Sequence, residues 1–91
     1  MTARTGAASD DLVRAVADEV RRSQRLPDDV AIDAGTALLE QGLALDSVAV
    51  FELLLAVEKR FARRIEEHEV NEANLGTVGA LAELVATKLG R

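Results

Sequence analysis

Residues 42–61 read GLALDSVAVFELLLAVEKRF and contain the clearest structural pattern in the chain. Asp46 is a strong helix N-cap, because its carboxylate can accept a hydrogen bond from a free N–H of the first turn. Glu52 is the only charged residue in residues 48–57, and a helix that is apolar almost all round is either buried or offers a face to something else. The pattern predicts a helix over residues 46–62. Its expected core anchors are the apolar residues Val48, Leu53, Val57 and Phe61.

Two further main helices are predicted on either side of this one. Ser9 is a suitable N-cap for a first helix that ends near Gln24, with an inward stripe at every fourth residue. That stripe consists of Leu12, Val16 and Val20. Thr77 caps a last helix that ends at Gly90, a residue suited to a helix C-terminus. Its expected inward residues are Val78, Leu81, Leu84, Val85 and Leu89.

The connections between these helices are less regular. Ala34-Gly35-Thr36 is expected to form a turn, and residues 37–41 one helical turn, within an otherwise long first loop. Residues 65–72 are expected to form a short helix anchored by Ile65 and Val70, followed by a loop at 74–76. Residues 1–8 lack the basic-then-apolar pattern of a signal peptide and are expected to be a flexible tail, so the domain spans 9–91. The pattern as a whole predicts an all-α domain with three main helices, one short helix and a long first loop.

Composition excludes several classes of function. The chain has 91 residues, which suits one small domain, and it has no Cys, which removes disulfides and thiolate catalysis. A net charge of −5 argues against nucleic acid as a partner, and no apolar run approaches the length of a membrane span. The single histidine, His68, stands in an acidic segment, and no arrangement of residues suggests a catalytic triad or a metal site. We therefore expect a non-catalytic, monomeric, cytoplasmic protein that binds no metal.

Charge is distributed unevenly along the chain. Residues 26–58 contain no Lys or Arg, and all their charged residues are acids. These acids are Asp28, Asp29, Asp33, Glu40, Asp46, Glu52 and Glu58. Such a segment attracts partners with basic surfaces, although a solvated acidic face that only keeps the protein soluble would have the same composition.

The order of residues from 39 onwards is more specific than composition. It runs Leu39-Glu40-Gln41-Gly42-Leu43-Ala44-Leu45-Asp46-Ser47-Val48, then Glu52-Leu53, Val57-Glu58 and Phe61, and later Ile65, Glu69-Val70, Asn74 and Thr77-Val78-Gly79-Ala80-Leu81. This order resembles the acyl carrier protein family, including the peptidyl carrier domains. Members of that family have a Gly-Leu-Asp-Ser-Leu-like stretch before a helix with a spaced Glu-Leu, an apolar-Glu pair and a Phe. The resemblance covers roughly residues 9–90.

The resemblance implies a small four-helix bundle with a long first loop and a covalent 4'-phosphopantetheine on Ser47, with Asp46 as the acid that precedes the serine. It also implies a phosphopantetheinyl transferase, an acyl- or aminoacyl-loading enzyme and a downstream transferase or synthase as partners. A serine in the first turn of a helix independently suits a phosphodiester, because free N–H groups and the helix dipole favour an anion there. The external arm would supply the thiol that the sequence lacks.

Two departures from the family pattern bear on pathway and partner choice. Gly42 is farther from Ser47 than in the tight form of the motif, and the predicted helix carries fewer acids than fatty-acid-type carriers do. The smaller number of acids favours a specialised pathway of polyketide or nonribosomal peptide type, whereas the glycine spacing concerns only the conformation of the loop before Ser47. The alternatives are a peptidyl or aminoacyl carrier and an unmodified helical adaptor. Helical spacing is expected to leave at least one of Ala49 and Val50 exposed beside the arm, so that the expected docking residues are Ala49, Val50 and Glu52. The acids expected to steer a basic partner are Asp46, Glu52, Glu66, Glu67 and Glu69.

Overall fold

The computed structural model describes residues 8–39 and 42–90, and the described residues form an all-α fold, as predicted. The helices are α1 (Asp10–Ser23), α2 (Ser47–Phe61), α3 (Glu72–Leu75) and α4 (Val78–Lys88), with a 3-10 helix at Glu67–Glu69. Helix α1 packs against both α2 and α4, and α3 packs against α4. The three main helices and the long first loop that the sequence predicts are confirmed.

Side-chain caps fix the start of each main helix. Ser9 Oγ accepts a hydrogen bond from the Leu12 N–H (3.1 Å), and Asp46 Oδ1 accepts one from the Ala49 N–H (2.8 Å). The same interaction at α4 joins Thr77 to the Ala80 N–H (3.0 Å). All three are the caps predicted from the sequence, because capping depends on residues only three positions apart.

The core lies between the inward faces of α1, α2 and α4. Its fully buried large side chains are Val16, Val20, Leu38, Leu53, Val57, Val78, Leu81 and Val85. The predicted stripe of α1 is confirmed, whereas Leu84 and Leu89 of α4 are only partly buried. In the described part of the chain, Glu19 is the one buried carboxylate. It forms ion pairs with Arg22 (2.9 Å) and Arg60 (2.6 Å), and the second of these links α1 to α2.

The predicted inward face of α2 is partly wrong. Leu53 and Val57 are buried, but Val48 is 65% exposed and Leu54 occupies the core instead. Phe61 is half-buried and packs against the core. The physical reason is geometric: residues 50, 53, 54, 57 and 61 form one helical stripe, and Val48 lies well outside it at 100° per residue.

The first loop is held against the start of α4 by its backbone. The Leu38 N–H donates to the Gly76 carbonyl (2.9 Å), and the Val78 N–H donates to the Thr36 carbonyl (3.0 Å). The expected turn at residues 34–36 is present, but the helical turn expected at 37–41 is not formed by residues 37–39. Tertiary hydrogen bonds replace helical ones there, and Leu38 is buried as a result. Residues 40 and 41 lie outside the described residues.

The segment after α2 also differs from its prediction. A 3-10 helix and α3 replace the single short helix, and α3 extends over residues 74 and 75, which were expected to be part of a loop. Leu75 is the buried anchor of this segment, Ile65 is half-buried, and Val70 is 40% exposed. Asn71 caps α3 by accepting a hydrogen bond from the Asn74 N–H (2.9 Å).

At the N-terminus, Ala8 is buried and belongs to the core, so the packed part of the chain includes a residue that was assigned to the tail. The rest of the expected tail, residues 1–7, lies outside the described residues. Within residues 8–39 and 42–90, every helix is too short or too polar to cross a membrane.

Candidate functional site

Ser47 is the first residue of α2, and its side chain is exposed. Asp46 sets this position by capping the helix, and its carbonyl also accepts from the Val50 N–H (2.9 Å). Asp46 accepts hydrogen bonds from the N–H groups of residues 49 and 50. The N–H groups of Ser47 and Val48 therefore lie at the N-terminus of the helix without intrahelical partners. The expected first-turn placement of an exposed serine hydroxyl is confirmed.

The turn before Ser47 is shaped by left-handed backbone. Gly42 has φ +67° and Ala44 has φ +49°. A Cβ on Gly42 would collide with the Ala37 carbonyl oxygen, so this glycine allows the loop to close on itself. The Leu45 N–H then donates to the Leu38 carbonyl (2.8 Å). The wider spacing between Gly42 and Ser47 is therefore accommodated by a compact turn that leads into α2.

A groove of about 680 Å³ opens beside Ser47, between α2 and residues 65–75. Its apolar lining consists of Leu39, Leu45, Val50, Phe51, Leu54, Leu55, Ile65, Val70 and Leu75. The polar residues of the lining are Asp46, Ser47, Glu58, Glu67, Asn71 and Glu72. The groove therefore has an apolar interior, and the charged residues of its described lining are all acids.

Polar contacts hold the outer wall of this groove in place. Glu58 Oε2 accepts a hydrogen bond from the Ile65 N–H (2.7 Å) at the start of the wall. Glu69 forms an ion pair with Lys88 of α4 (2.7 Å) and accepts from the Glu66 N–H (2.8 Å). The hydrogen bond from Lys88, followed by that from Glu66, lowers the pKa of Glu69 below its ordinary value. Glu69 is therefore engaged inside the protein, unlike the exposed acids Glu66 and Glu67.

The residues predicted to dock partners do not form one exposed face. Ala49 and Val50 are both half-buried, and Val50 packs against the core, whereas Glu52 is exposed. The Ala49 carbonyl accepts a hydrogen bond from Gln24 Nε2 (3.1 Å), which connects the start of α2 to the end of α1.

Sequence reasoning missed an apolar stripe on the outer side of α2. Val48, Phe51 and Leu55 are 65%, 61% and 49% exposed, and their spacing of three and four residues places them on one face. Phe51 and Leu55 also line the groove beside Ser47. The available signal was that α2 is apolar on more than one side, since a helix with a single buried face requires only one stripe.

Comparison with known proteins agrees with the geometry. A family model described as a phosphopantetheine attachment site matches residues 10–85. Searches among curated proteins and among solved structures returned no match. The matched range includes Ser47, whose exposed hydroxyl and neighbouring free N–H groups suit a phosphodiester. The chain therefore belongs to the phosphopantetheine attachment-site family, whose members are carrier proteins with a covalently attached 4'-phosphopantetheine.

Proposed function

We propose that Ser47 carries the 4'-phosphopantetheine and that the protein presents a thioester-bound biosynthetic intermediate to partner enzymes. The observation that carries this proposal is the exposed serine hydroxyl in the first turn of α2, inside the matched range. When bound, the group supplies a thiol for thioester chemistry, which the chain cannot provide because it has no Cys. Asp46 contributes by fixing the start of α2, and the N–H groups of Ser47 and Val48 favour the phosphodiester charge.

The carrier acts as a substrate of other enzymes and is not itself an enzyme. Its partners are a phosphopantetheinyl transferase, an acyl- or aminoacyl-loading enzyme, and a downstream transferase or synthase. We assign it to a specialised pathway of polyketide or nonribosomal peptide type, acting as a cytoplasmic monomer. Lys59 and Arg60 are exposed on α2. They support this assignment because fatty-acid-type carriers have acids at the matching positions of this helix.

Partner enzymes dock on α2 next to the arm. Val48 and Phe51 present exposed apolar surface within one turn of Ser47, and Glu52 adds an exposed negative charge. The half-buried Ala49 borders this surface, whereas Val50 lies on the side of α2 that packs against the core. A partner with a small apolar patch and a basic rim complements it, since unlike charges steer the encounter and apolar contact holds the complex.

Intact mass spectrometry tests the attachment. The purified protein is incubated with coenzyme A and a broad-specificity phosphopantetheinyl transferase, and it should gain the mass of one phosphopantetheinyl group. Ser47→Ala should abolish the gain and change the free energy of unfolding by no more than about 0.5 kcal/mol, because the side chain is exposed at a helix start.

Ser23→Ala is the matched control, because Ser23 is at the end of α1, where its hydroxyl donates to the Val20 carbonyl. This variant should be modified like the original protein. Modification of the Ser47→Ala variant would refute the assigned site. Failure of the original protein to gain mass would favour an unmodified helical adaptor.

A further inference from the structure

The groove beside Ser47 is electrostatically one-sided. Among the residues that the structure describes, four of the lining residues are carboxylates, and none is Lys, Arg or His. The acids are Asp46, Glu58, Glu67 and Glu72. Asp46 precedes Ser47 directly. Glu58 follows Ser47 by eleven residues, which corresponds to about 16 Å along the axis of α2 at 1.5 Å per residue. Glu67 and Glu72 are exposed on the opposite wall. Negative charge is therefore distributed along the length of the groove.

The cationic side chains of α2 and α4 are not among the lining residues of this groove. Lys88 is paired with Glu69 (2.7 Å) and is not part of the lining. Lys59 and Arg60 of α2 line a separate groove on the side of α1, where Arg60 is paired with Glu19. None of these three cations lines the groove beside Ser47.

These charges discriminate between kinds of cargo. A carboxylate placed in the groove would lose hydration and experience repulsion from four acids, with no lining cation to compensate. A cargo with an apolar chain and a terminal ammonium group would keep the chain against the leucines and valines, while the ammonium charge is attracted to the four acids. Apolar contact with the lining is available to both, so the sign of the charge decides between them.

We propose that this groove accepts apolar thioester cargo that carries an amino group and disfavours cargo that ends in a carboxylate. The inference rests on the proposed function, because the cargo reaches the groove only if the arm is attached to Ser47. It narrows the cargo to an amino-bearing acyl or aminoacyl group.

The test uses three stable cargoes of equal carbon-chain length on the 91-residue chain. The transferase loads Ser47 from amide-linked coenzyme A analogues, so that the serine receives a phosphopantetheinyl arm with a hexanoyl, 6-aminohexanoyl or adipoyl group and adenosine 3',5'-bisphosphate is released. Mass spectrometry first confirms loading. Backbone amide shifts of Leu55, Val70 and Leu75 then report occupation of the groove, and the thermal midpoint is measured relative to the protein that carries the bare arm. Hexanoyl cargo serves as the uncharged reference.

We expect the ratio of groove-bound to free cargo to be about tenfold higher for 6-aminohexanoyl than for adipoyl at low salt, since each exposed charge pair contributes a modest factor. The difference between the two cargoes should shrink as the salt concentration rises, because Asp46, Glu67 and Glu72 are exposed to solvent and their charges are screened.

A double substitution assigns the effect to the groove. Glu67→Gln with Glu72→Gln removes two negative charges from the wall and should reduce the amine-to-carboxylate ratio several-fold. Asp18→Asn with Glu83→Gln is the matched control, because it removes the same charge at exposed sites outside the groove and should leave the ratio unchanged. Each variant is compared with its own unloaded form, so that a change in fold stability does not enter the ratio.

The outcomes separate the two proposals. Absence of any mass gain refutes the proposed function and this inference together. Normal loading with no shift at Leu55, Val70 or Leu75 for any cargo refutes the inference alone, as does equal or stronger binding of adipoyl cargo. An amine preference that survives the wall substitutions, or that the control removes equally, also refutes it.

Discussion

Helices α2 and α4 are both rich in apolar residues but use them differently. In α4, five of these residues are at most 2% exposed: Val78, Leu81, Ala82, Val85 and Ala86. In α2, Leu53, Leu54 and Val57 are buried, while Val48, Phe51 and Leu55 remain largely exposed. The apolar surface of α4 is thus covered by α1, α3 and the first loop, whereas α2 is covered on one side only.

The difference supports the proposed roles, in which α4 contributes to stability and the outer side of α2 contacts partners. Exposed apolar residues that cluster on one face mark a surface that contacts something outside the fold. On α2 this surface begins at the helix turn that holds Ser47. Substitutions at the buried apolar positions should therefore lower stability, and substitutions at the exposed ones should affect function instead.

The largest effect is expected from the same substitution made in each helix. Leu81→Ala should lower the free energy of unfolding by about 2–5 kcal/mol, because it leaves a cavity in the core. Leu55→Ala should lower it by about 1 kcal/mol or less, because the side chain is 49% exposed. Chemical denaturation monitored by circular dichroism measures both values. Equal losses would mean that the outer side of α2 is covered in solution.

An intermediate effect is expected from a charge introduced at either side of α2. Val50→Glu should cost about 1–3 kcal/mol of unfolding free energy, because Val50 packs against the core. Val48→Glu should leave stability nearly unchanged, since residue 48 is exposed in the first turn, where the dipole favours an acid.

Loading kinetics complete this comparison. Val48→Glu should slow loading or transfer by the cognate enzyme while the protein melts normally, as expected for a residue on the docking surface. Normal loading of this variant would contradict docking on the outer side of α2. A stable Val50→Glu variant would contradict the assigned rotation of the helix.

The smallest effect is expected at the ion pair that ties the groove wall to α4. Lys88 lowers the pKa of Glu69, so this contribution to stability is complete above the unfolded pKa, about 4.3 for Glu, and is lost as the pH falls through the lowered folded value. Lys88→Met should return the pKa of Glu69 towards its ordinary value, as measured by a carboxyl NMR titration. Lys59→Met is the control and should not move that pKa. An unchanged Glu69 titration in the Lys88 variant would exclude the ion pair in solution.

Local features were predictable from the sequence. Ser9, Asp46 and Thr77 cap their helices as expected, because a cap requires only a suitable side chain within three residues of the N–H it accepts from. The exposed first-turn position of Ser47 follows from the cap on α2. The family resemblance could also be recognised from the order of residues 39–81, and the family match over residues 10–85 confirms it.

Only the tertiary structure decided how α2 is rotated and how the segments around it pack. Because α2 is apolar on several sides, its neighbours determine that Leu54 is buried and Val48 is exposed, and no local rule distinguishes these residues. The hydrogen bonds of Leu38 with residues 45 and 76 likewise join positions far apart in the chain, so its burial could not be inferred from local periodicity. The groove beside Ser47 likewise joins α2 to residues 65–75 and to Leu39, so the sequence could indicate Ser47 as the proposed attachment residue but not the cavity next to it.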